Sequence, residues 1–222
     1  MGLSRHHLLP LFHFFPLSTP TLAQREAFGC IEVTGERHVN VERCVIVCDS
    51  MAAVEIYGPQ ATGMLRHNTI LDGPRGPGVL ICDGAQVTLS FNDVSGCFAA
   101  GVSVEDVGTT ALLFDNFIRD GRDIGIGVDK GASAVLERNT VMGNDLTGLE
   151  VFNSSTADLV NNVIRDNGHA LIPHSDNQLD NWVGNTAEMF KAGNGFPGVW
   201  VTDSVIKGKN NRIEGNNSRV EQ

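Results

Sequence analysis

The triplets Asn92-Asp-Val94, Asn116-Phe-Ile118 and Asn139-Thr-Val141 follow one another at a nearly constant interval. The same pattern, an asparagine with an aliphatic residue two places later, recurs along most of the chain. The full column consists of Cys44, Asn68, Asn92, Asn116, Asn139, Asn162, Asn185 and Asn211, with a cysteine in the first slot. A repeat of roughly 20–50 residues indicates a stacked array of one small structural unit.

Each repeat also contains two short segments in which apolar residues alternate with other residues. The first segment begins with glycine, as in Gly101-Val-Ser-Val104, and the second precedes the asparagine, as in Ala134-Val-Leu136. Alternation with a period of two is typical of a β-strand. A repeat of about 23 residues is too short for helices between parallel strands. The sequence therefore predicts an all-β fold, a parallel β-helix of about seven coils, right-handed by the usual crossover preference.

The asparagines have a structural role in this fold. Stacked in register at a bend, their side-chain amides can hydrogen-bond one another and the backbone of the bend. Cys44 is expected to be a small buried substitute at the head of the column. The pattern weakens where Ala170-Leu-Ile-Pro173 replaces the expected glycine segment. Irregular turns of a solenoid tolerate insertions and often carry function.

The N-terminal segment reads as a secretory signal peptide. Arg5 precedes an apolar stretch, and Thr21-Leu-Ala23 provides small residues before a cleavage point. This predicts a secreted or periplasmic protein. The expected divisions are a signal peptide at 1–23, an N-terminal cap or lead-in at 24–43, the β-helix at 44–218 and a tail at 219–222. Because the last coil has no evident cap, its exposed strand edges predict a partner or self-association.

Composition limits the possible partners. The formal net charge of −10 argues against a nucleic-acid partner, which would need a basic surface. No later segment has the roughly 20 consecutive apolar residues that a membrane span requires. The five cysteines are interpreted as structural or buried, and in an oxidising compartment Cys30 could bridge to either Cys44 or Cys48. Their odd number leaves at least one thiol unpaired within the chain, or in a bond to another molecule.

The inward positions of the first strand in each repeat fix the positions that face outward. One exposed face is expected to carry the chemistry-bearing side chains. They are Glu105, Asp129, Lys130, Glu150, His174, Asp176 and Trp200. Glu105 and Asp129 occupy one slot in consecutive coils, so their backbones should lie roughly 5 Å apart. Two carboxylates at that distance favour a shared proton or a bound cation such as Ca²⁺.

These residues suggest roles in carbohydrate chemistry. A carboxyl pair that shares a proton suits glycoside hydrolysis, which assigns Glu105 and Asp129 as catalytic candidates. His174 is a candidate general base, with Asp176 beside it. The remaining three, Glu150, Lys130 and Trp200, are expected to bind substrate, the tryptophan by stacking on a sugar ring.

The Gly-Val-x-Val and Asn-x-Ile patterns, over residues 40 to 218, resemble the right-handed parallel β-helix repeat proteins of the pectin-lyase-like superfamily. That resemblance implies one of several activities: pectate or alginate lyase, polygalacturonase, mannuronan C5-epimerase, or a surface protein without chemistry. Locally, Ile172-Pro-His-Ser-Asp176 is similar to the Asp-Pro-His-Asp motif of the C5-epimerases, although Ile172 stands where that motif has its first acid. Asn181-Trp-Val-Gly-Asn185 is similar to a following stretch of the same enzymes.

Three functions stay open on the sequence alone. The first is an exported protein that binds or processes a polysaccharide along the first-strand face. The second is a non-catalytic structural or protein-interaction module. The third is a periplasmic protein similar to the NosD group, which is associated with copper-site maturation. Copper chemistry favours repeated methionines or histidines, whereas here the methionines are scattered and His169 with His174 forms one loose pair.

Overall fold

A computed structural model describes residues 30–48, 51–71, 75–168, 198–201 and 203–216. This part of the chain contains 21 strands and no helix. The strands form three parallel sheets of seven strands each, and every coil contributes one strand to each sheet. The predicted all-β parallel solenoid is therefore confirmed.

The strands recur in the same order in every coil. The first sheet contains β1 (Ile31–Thr34), β4 (Val54–Tyr57), β7 (Val79–Cys82), β10 (Val102–Glu105), β13 (Ile126–Asp129), β16 (Leu149–Val151) and β19 (Val199–Val201). The second contains β2 (His38–Glu42), β5 (Thr62–Arg66), β8 (Gln86–Ser90), β11 (Thr110–Phe114), β14 (Ser133–Glu137), β17 (Thr156–Val160) and β20 (Val205–Lys209). The third contains β3 (Val45–Val47), β6 (Thr69–Leu71), β9 (Asp93–Ser95), β12 (Phe117–Arg119), β15 (Thr140–Met142), β18 (Val163–Arg165) and β21 (Arg212–Glu214).

Matching slots of successive repeats lie side by side. In the second sheet, for example, Leu113 pairs with Leu89 on one side and with Leu136 on the other. All three leucines are almost completely buried. The interior is therefore built from stacked columns of aliphatic side chains, each covered by the coils on both sides. Burial contributes about 25 cal/mol for every Å² of apolar surface, and repeated coil by coil it stabilises a unit too short to fold alone.

The asparagine column lies at the corner between the second and third sheets. Asn92 Nδ2 donates to Asn116 Oδ1 at 2.9 Å, and Asn116 Nδ2 donates to Asn139 Oδ1 at 3.0 Å. Each amide also caps a backbone carbonyl of the preceding coil, as Asn116 Nδ2 does at Leu89 O. The residue before each asparagine takes the left-handed conformation that turns the corner, for example Asp115 with φ of 55°. The predicted hydrogen-bonded column is confirmed.

Two details of the column differ from the prediction. Cys44 heads the column, because its backbone N donates to Asn68 Oδ1, but it is exposed rather than buried. No described coil precedes the first one, so nothing there covers Cys44. Asn162 bonds directly to Asn211 through both its backbone N and its Nδ2. Asn185 therefore does not form a rung between them, and it lies outside the described residues.

The long connection between the sixth and seventh coils explains that error. The link from β15 to β16 comprises residues 143–148, whereas the link from β18 to β19 comprises 166–198. The strands on either side of this connection pair directly, β16 with β19 and β18 with β21, so the sixth and seventh coils are neighbours in all three sheets. The β-helix also begins earlier than expected, since residues 31–42 of the predicted lead-in form β1 and β2.

A second asparagine column, absent from the sequence prediction, closes the corner between the third and first sheets. Asn144 Nδ2 donates to Asn167 Oδ1, and Asn167 Nδ2 donates to Asn216 Oδ1, both at 2.9 Å. Each member lies five residues after a member of the first column. The bond from Asn167 to Asn216 joins the sixth and seventh coils across the insertion. Asn144 therefore fixes the corner directly before β16, the strand that carries Glu150.

Candidate functional site

The outward side of the first sheet collects most of the predicted site residues. In the register of the sheet, Gly127 pairs with Ser103 on one side and with Glu150 on the other, and Glu150 pairs with Trp200. Glu105 pairs with Asp129 in the neighbouring outward column. The register thus places Glu105 beside Asp129 and Glu150 beside Trp200, while the roles assigned to these residues stay predictions. His174 and Asp176 lie outside the described residues, so their assignment stays a prediction.

Glu105 is fully engaged by its neighbours. Lys130 Nζ lies 2.5 Å from Glu105 Oε2, and Ser103 Oγ donates to Glu105 Oε1 at 2.8 Å. The hydrogen bond to Glu105 is the main cause of a raised Lys130 pKa. The sequence analysis considered Ca²⁺ as a source of positive charge beside the Glu105 and Asp129 carboxylates. Lys130 of the same chain supplies a positive charge to Glu105. Lys130, expected to bind substrate, is held by this ion pair.

Asp129 has a different environment. Its Oδ1 accepts hydrogen bonds from the Lys130 backbone N and from Asn153 Nδ2, both at 2.7 Å. The side chain faces outward next to the Glu150 strand, two residues beyond Gly127. These two donors hold the carboxylate of Asp129 in a fixed orientation on the outward side of the sheet.

Glu150 has the most strongly altered protonation of the carboxyl groups on this face. Burial raises its pKa from 4.5 to about 7, and the charges of Asp123 and Asp129 add to the rise. Glu150 lies between Gly127 and Trp200 in an outward column of the first sheet. On one side Gly127 has no side chain, and Ile124 Cδ1 comes within 2.9 Å of the point where a Cβ on Gly127 would lie. On the other side stands Trp200.

The Thr147 hydroxyl partly opposes the rise in the Glu150 pKa. Thr147 is completely buried, and its Oγ1 is the one buried side-chain oxygen or nitrogen among residues with described placement that lacks a hydrogen-bond partner. It therefore lies near the carboxyl group without the geometry of a full hydrogen bond. A short movement of Glu150 would complete that bond and favour the ionised form.

Asp123 is the third carboxyl group of this cluster. It lies in the turn before β13, and burial raises its pKa, while a hydrogen bond to the Ile124 backbone lowers it. Sequence reasoning missed Asp123, because a turn residue has no place in the strand alternation. Glu150, Asp129 and Asp123 form what we call the acid cluster.

Two aromatic rings border the acid cluster. Phe152 and Trp200 pack edge to face, with centroids 5.7 Å apart and an interplanar angle of 79°. Both are half-buried, so each ring leaves part of its surface accessible. An edge-to-face partner fixes the tryptophan ring plane and reduces the entropy lost on stacking with a ligand.

The variant Ile124→Ala tests whether Ile124 raises the pKa of Glu150 by excluding water from its carboxyl group. Shortening this side chain admits water beside Glu150, so the pKa of Glu150 should fall from about 7 toward 4.5. Carbon-13 NMR of the side-chain carboxyls would measure it, with Glu150→Gln identifying the resonance. Val107→Ala is a suitable control, since Val107 is 81% exposed. An unchanged Glu150 pKa in Ile124→Ala would contradict desolvation by Ile124.

One group of side chains in the described residues could contact a metal ion. The ligand atoms of Cys82, Asp83 and Asp106 lie within 4.8 Å of one another. Asp106 Oδ2 already accepts a hydrogen bond from the Asp83 backbone N. Three mixed ligands are fewer than the four of a structural zinc site or the six or more oxygens that Ca²⁺ takes. The group therefore adds no support for a metal-dependent function.

The comparison with protein families agrees with this architecture. The family described as "Right handed beta helix region" matches residues 26–164 and 65–218, which together span most of the sequence. The chain belongs to the right-handed β-helix family. That membership confirms the handedness expected from the crossover preference, and it is consistent with the predicted resemblance to the pectin-lyase-like superfamily.

Family membership establishes the fold of this β-helix without selecting an activity, because one fold hosts many functions. No curated protein and no solved structure gives a significant match to the chain. Among the described residues no helix is long and apolar enough to cross a membrane. The functional argument therefore depends on the acid cluster and its aromatic border.

Proposed function

We propose that this β-helix protein binds a polysaccharide along the outward face of the first sheet and that Glu150 transfers a proton to or from it. The observation that carries the proposal is the position of Glu150 on an outward strand slot beside Trp200, where burial raises the pKa of its carboxyl group to about 7. A general acid or base works best when its pKa lies near the working pH. Raising a carboxyl pKa by burial also destabilises the protein, so such a group is characteristic of a functional site.

The geometry suits hydrolysis of a glycosidic bond. Protonated Glu150 would donate to the leaving-group oxygen, while Asp129 would accept a proton from water. The two residues lie on adjacent strands with an offset of two positions, which places their Cα atoms roughly 8 Å apart. In inverting glycosidases the carboxyl groups themselves lie about 6.5–9.5 Å apart, which leaves room for a water molecule, and the proposal assigns that spacing, with inversion at the anomeric carbon, to this pair. Glu105 is adjacent to Asp129 but is held by its ion pair with Lys130. In this proposal it has a positioning role on the outward side of the first sheet.

The aromatic pair supports a carbohydrate ligand. Trp200 occupies the slot next to Glu150, one coil further along the solenoid. Successive coils are separated by roughly 4.8 Å, close to the length of one sugar ring. A chain lying across the coils would place one ring on Trp200 and the next linkage beside Glu150.

The charges of the face favour an uncharged glycan. Four carboxyl residues at outward positions of the first sheet are at least partly exposed, and they are Glu32, Glu105, Asp129 and Glu150, whereas Glu55 is buried. The described strands of this sheet contain no lysine or arginine, and the neighbouring Lys130 is paired with Glu105. Uronate polymers, the substrates implied by the epimerase resemblance, would be repelled here. The proposal treats the protein as exported, as its N-terminal segment predicts.

The test is an assay of the full chain against neutral and uronate polysaccharides. Binding and release of reducing ends should occur with a neutral polymer, with or without added Ca²⁺. Glu150→Gln keeps the shape of the side chain but cannot exchange a proton, so turnover should fall by at least 100-fold. Trp200→Ala should weaken binding by roughly tenfold. Asp158→Asn, an exposed change on the second sheet, provides the matched control.

The outcomes separate the parts of the proposal. Binding to uronates with no binding to neutral polymers would overturn the substrate class. Binding without turnover, unchanged in Glu150→Gln, would overturn the proton transfer. Absence of any glycan binding would favour the non-catalytic interaction module. One observation supports that alternative: the edge strand β3 leaves Val45 and Val47 71% and 62% exposed, which suits contact with another protein.

A further inference from the structure

Two cysteines meet where the first coil begins. Cys30 Sγ donates to Val47 O at 3.5 Å, and Val47 is the residue before Cys48. The Cys30 backbone N and Cys48 Sγ both contact one carbonyl oxygen, that of Ala52, at 3.3 and 3.4 Å. Cys30 Sγ therefore lies next to the peptide bond that precedes Cys48, and Cys48 Sγ lies next to the carbonyl that binds the Cys30 backbone.

We propose that Cys30 and Cys48 form a disulfide that closes the N-terminal end of the solenoid. The sequence left open whether Cys30 would pair with Cys44 or with Cys48. Cys44 Sγ instead donates to Glu42 O, at the corner between the second and third sheets. Cys48 follows β3 and lies at the corner that leads into the first sheet, where Cys30 precedes β1. The geometry selects the second pairing.

The exposure of the two thiols sets the order of the reaction. Cys30 is exposed, whereas Cys48 is 2% exposed. The Cys30 thiolate would attack a small disulfide, such as oxidised glutathione, to form a mixed disulfide and release one thiol. Cys48 would then attack the Cys30 sulfur, releasing a second thiol. Two protein thiols are oxidised, and one external disulfide is reduced to two thiols.

The consequence is local. Strands β1, β2 and β3 are the edge strands of the three sheets at this end. Their outer backbone groups have no described strand as a neighbour, so this coil should open more easily than the interior coils. A bond between Cys30 and Cys48 ties the start of β1 to the end of β3 and encloses the whole first coil. Oxidation should slow amide exchange in β1 at least tenfold and leave β11 unchanged.

The experiment uses the full chain and its three single Cys→Ser variants. After equilibration in a glutathione redox buffer, the wild-type protein should lose two of its five thiols, measured by thiol titration after unfolding. Cys44→Ser should also lose two. Cys30→Ser and Cys48→Ser should lose none and should retain fast exchange in β1. Mass spectrometry would confirm the loss of two hydrogens in the oxidised species.

Several results would overturn the proposal. Loss of two thiols in Cys48→Ser, or retention of all thiols in Cys44→Ser, would assign the pairing elsewhere. A stable glutathione adduct on Cys30 without release of the second thiol would show that Cys48 does not reach it. Oxidation that proceeds only in denaturant would show that the folded arrangement does not favour the bond. None of these results bears on the glycan proposal, because Cys30 and Cys48 lie at the opposite end of the stack from Trp200.

Discussion

Replacing Asn116 by alanine is expected to lower the free energy of unfolding by about 4–6 kcal/mol, because several buried polar groups lose their partners at once. Four hydrogen bonds disappear together: two from the backbone N and Nδ2 of Asn92, one to Leu89 O and one to Asn139 Oδ1. The groups left behind are buried, where an unsatisfied donor or acceptor costs about 1–3 kcal/mol. Asn116 itself is 2% exposed, so water cannot easily replace the amide.

The measurement is urea unfolding combined with hydrogen exchange. Because solenoids can open coil by coil, exchange should show the loss concentrated in the coils around Asn116. The control is Asn40→Ala, an exposed asparagine on β2, which should change stability by less than about 0.5 kcal/mol. A loss below about 1 kcal/mol for Asn116→Ala would mean that the column contributes little beyond backbone pairing.

Glu150→Gln is expected to stabilise the protein at pH 8 and to leave its stability unchanged at pH 4. The pKa of Glu150 is about 7 in the folded protein, against 4.5 for an unperturbed glutamate. Between these values the folded state binds more protons than the unfolded state, so stability falls as the pH rises through this window. The full penalty applies above about pH 7 and amounts to at most about 3 kcal/mol. Glutamine carries no charge and avoids it.

Denaturant unfolding of both proteins at pH 4, 6 and 8 would measure the difference. The gain should be near zero at pH 4 and grow steadily toward pH 8. Asp158→Asn, exposed on β17, should differ from the wild type by less than about 0.5 kcal/mol throughout. An equal gain for Glu150→Gln at all three pH values would show that packing, and not ionisation, distinguishes the two side chains. Stabilisation with loss of turnover would fit a site that trades stability for function.

The fold could be predicted from the sequence because its determinants are periodic. Alternating segments such as Gly101-Val-Ser-Val104 and the asparagine triplets fix both the strand faces and the register between coils. Asn185 misled the prediction because it happens to lie one repeat length after Asn162. The missing glycine segment before it indicated an insertion. The second column could also have been found, since its members follow those of the first at a constant offset; they are Asn144, Asn167 and Asn216.

The candidate site was only partly predictable. Several chemistry-bearing side chains could be assigned to one face from the sequence. In strands of three or four residues, successive side chains alternate strictly between the two faces of the sheet. The roles within that face depend on contacts that periodicity does not specify. Lys130, which pairs with Glu105, lies in a turn with a left-handed backbone, φ of 55°, outside the strand alternation. Ile124, a turn residue, reaches over Gly127 in the slot next to Glu150, and strand alternation does not predict that contact.

The hydrogen bond between Asn167 and Asn216 has a consequence for protein engineering. It shows that two neighbouring rungs keep their registry although the connection between them is several times longer than its counterparts in the other coils. A corner that tolerates an addition of this length should tolerate a different one. An epitope, or an entire foreign domain with closely spaced termini, could be displayed there while the scaffold beneath retains its shape.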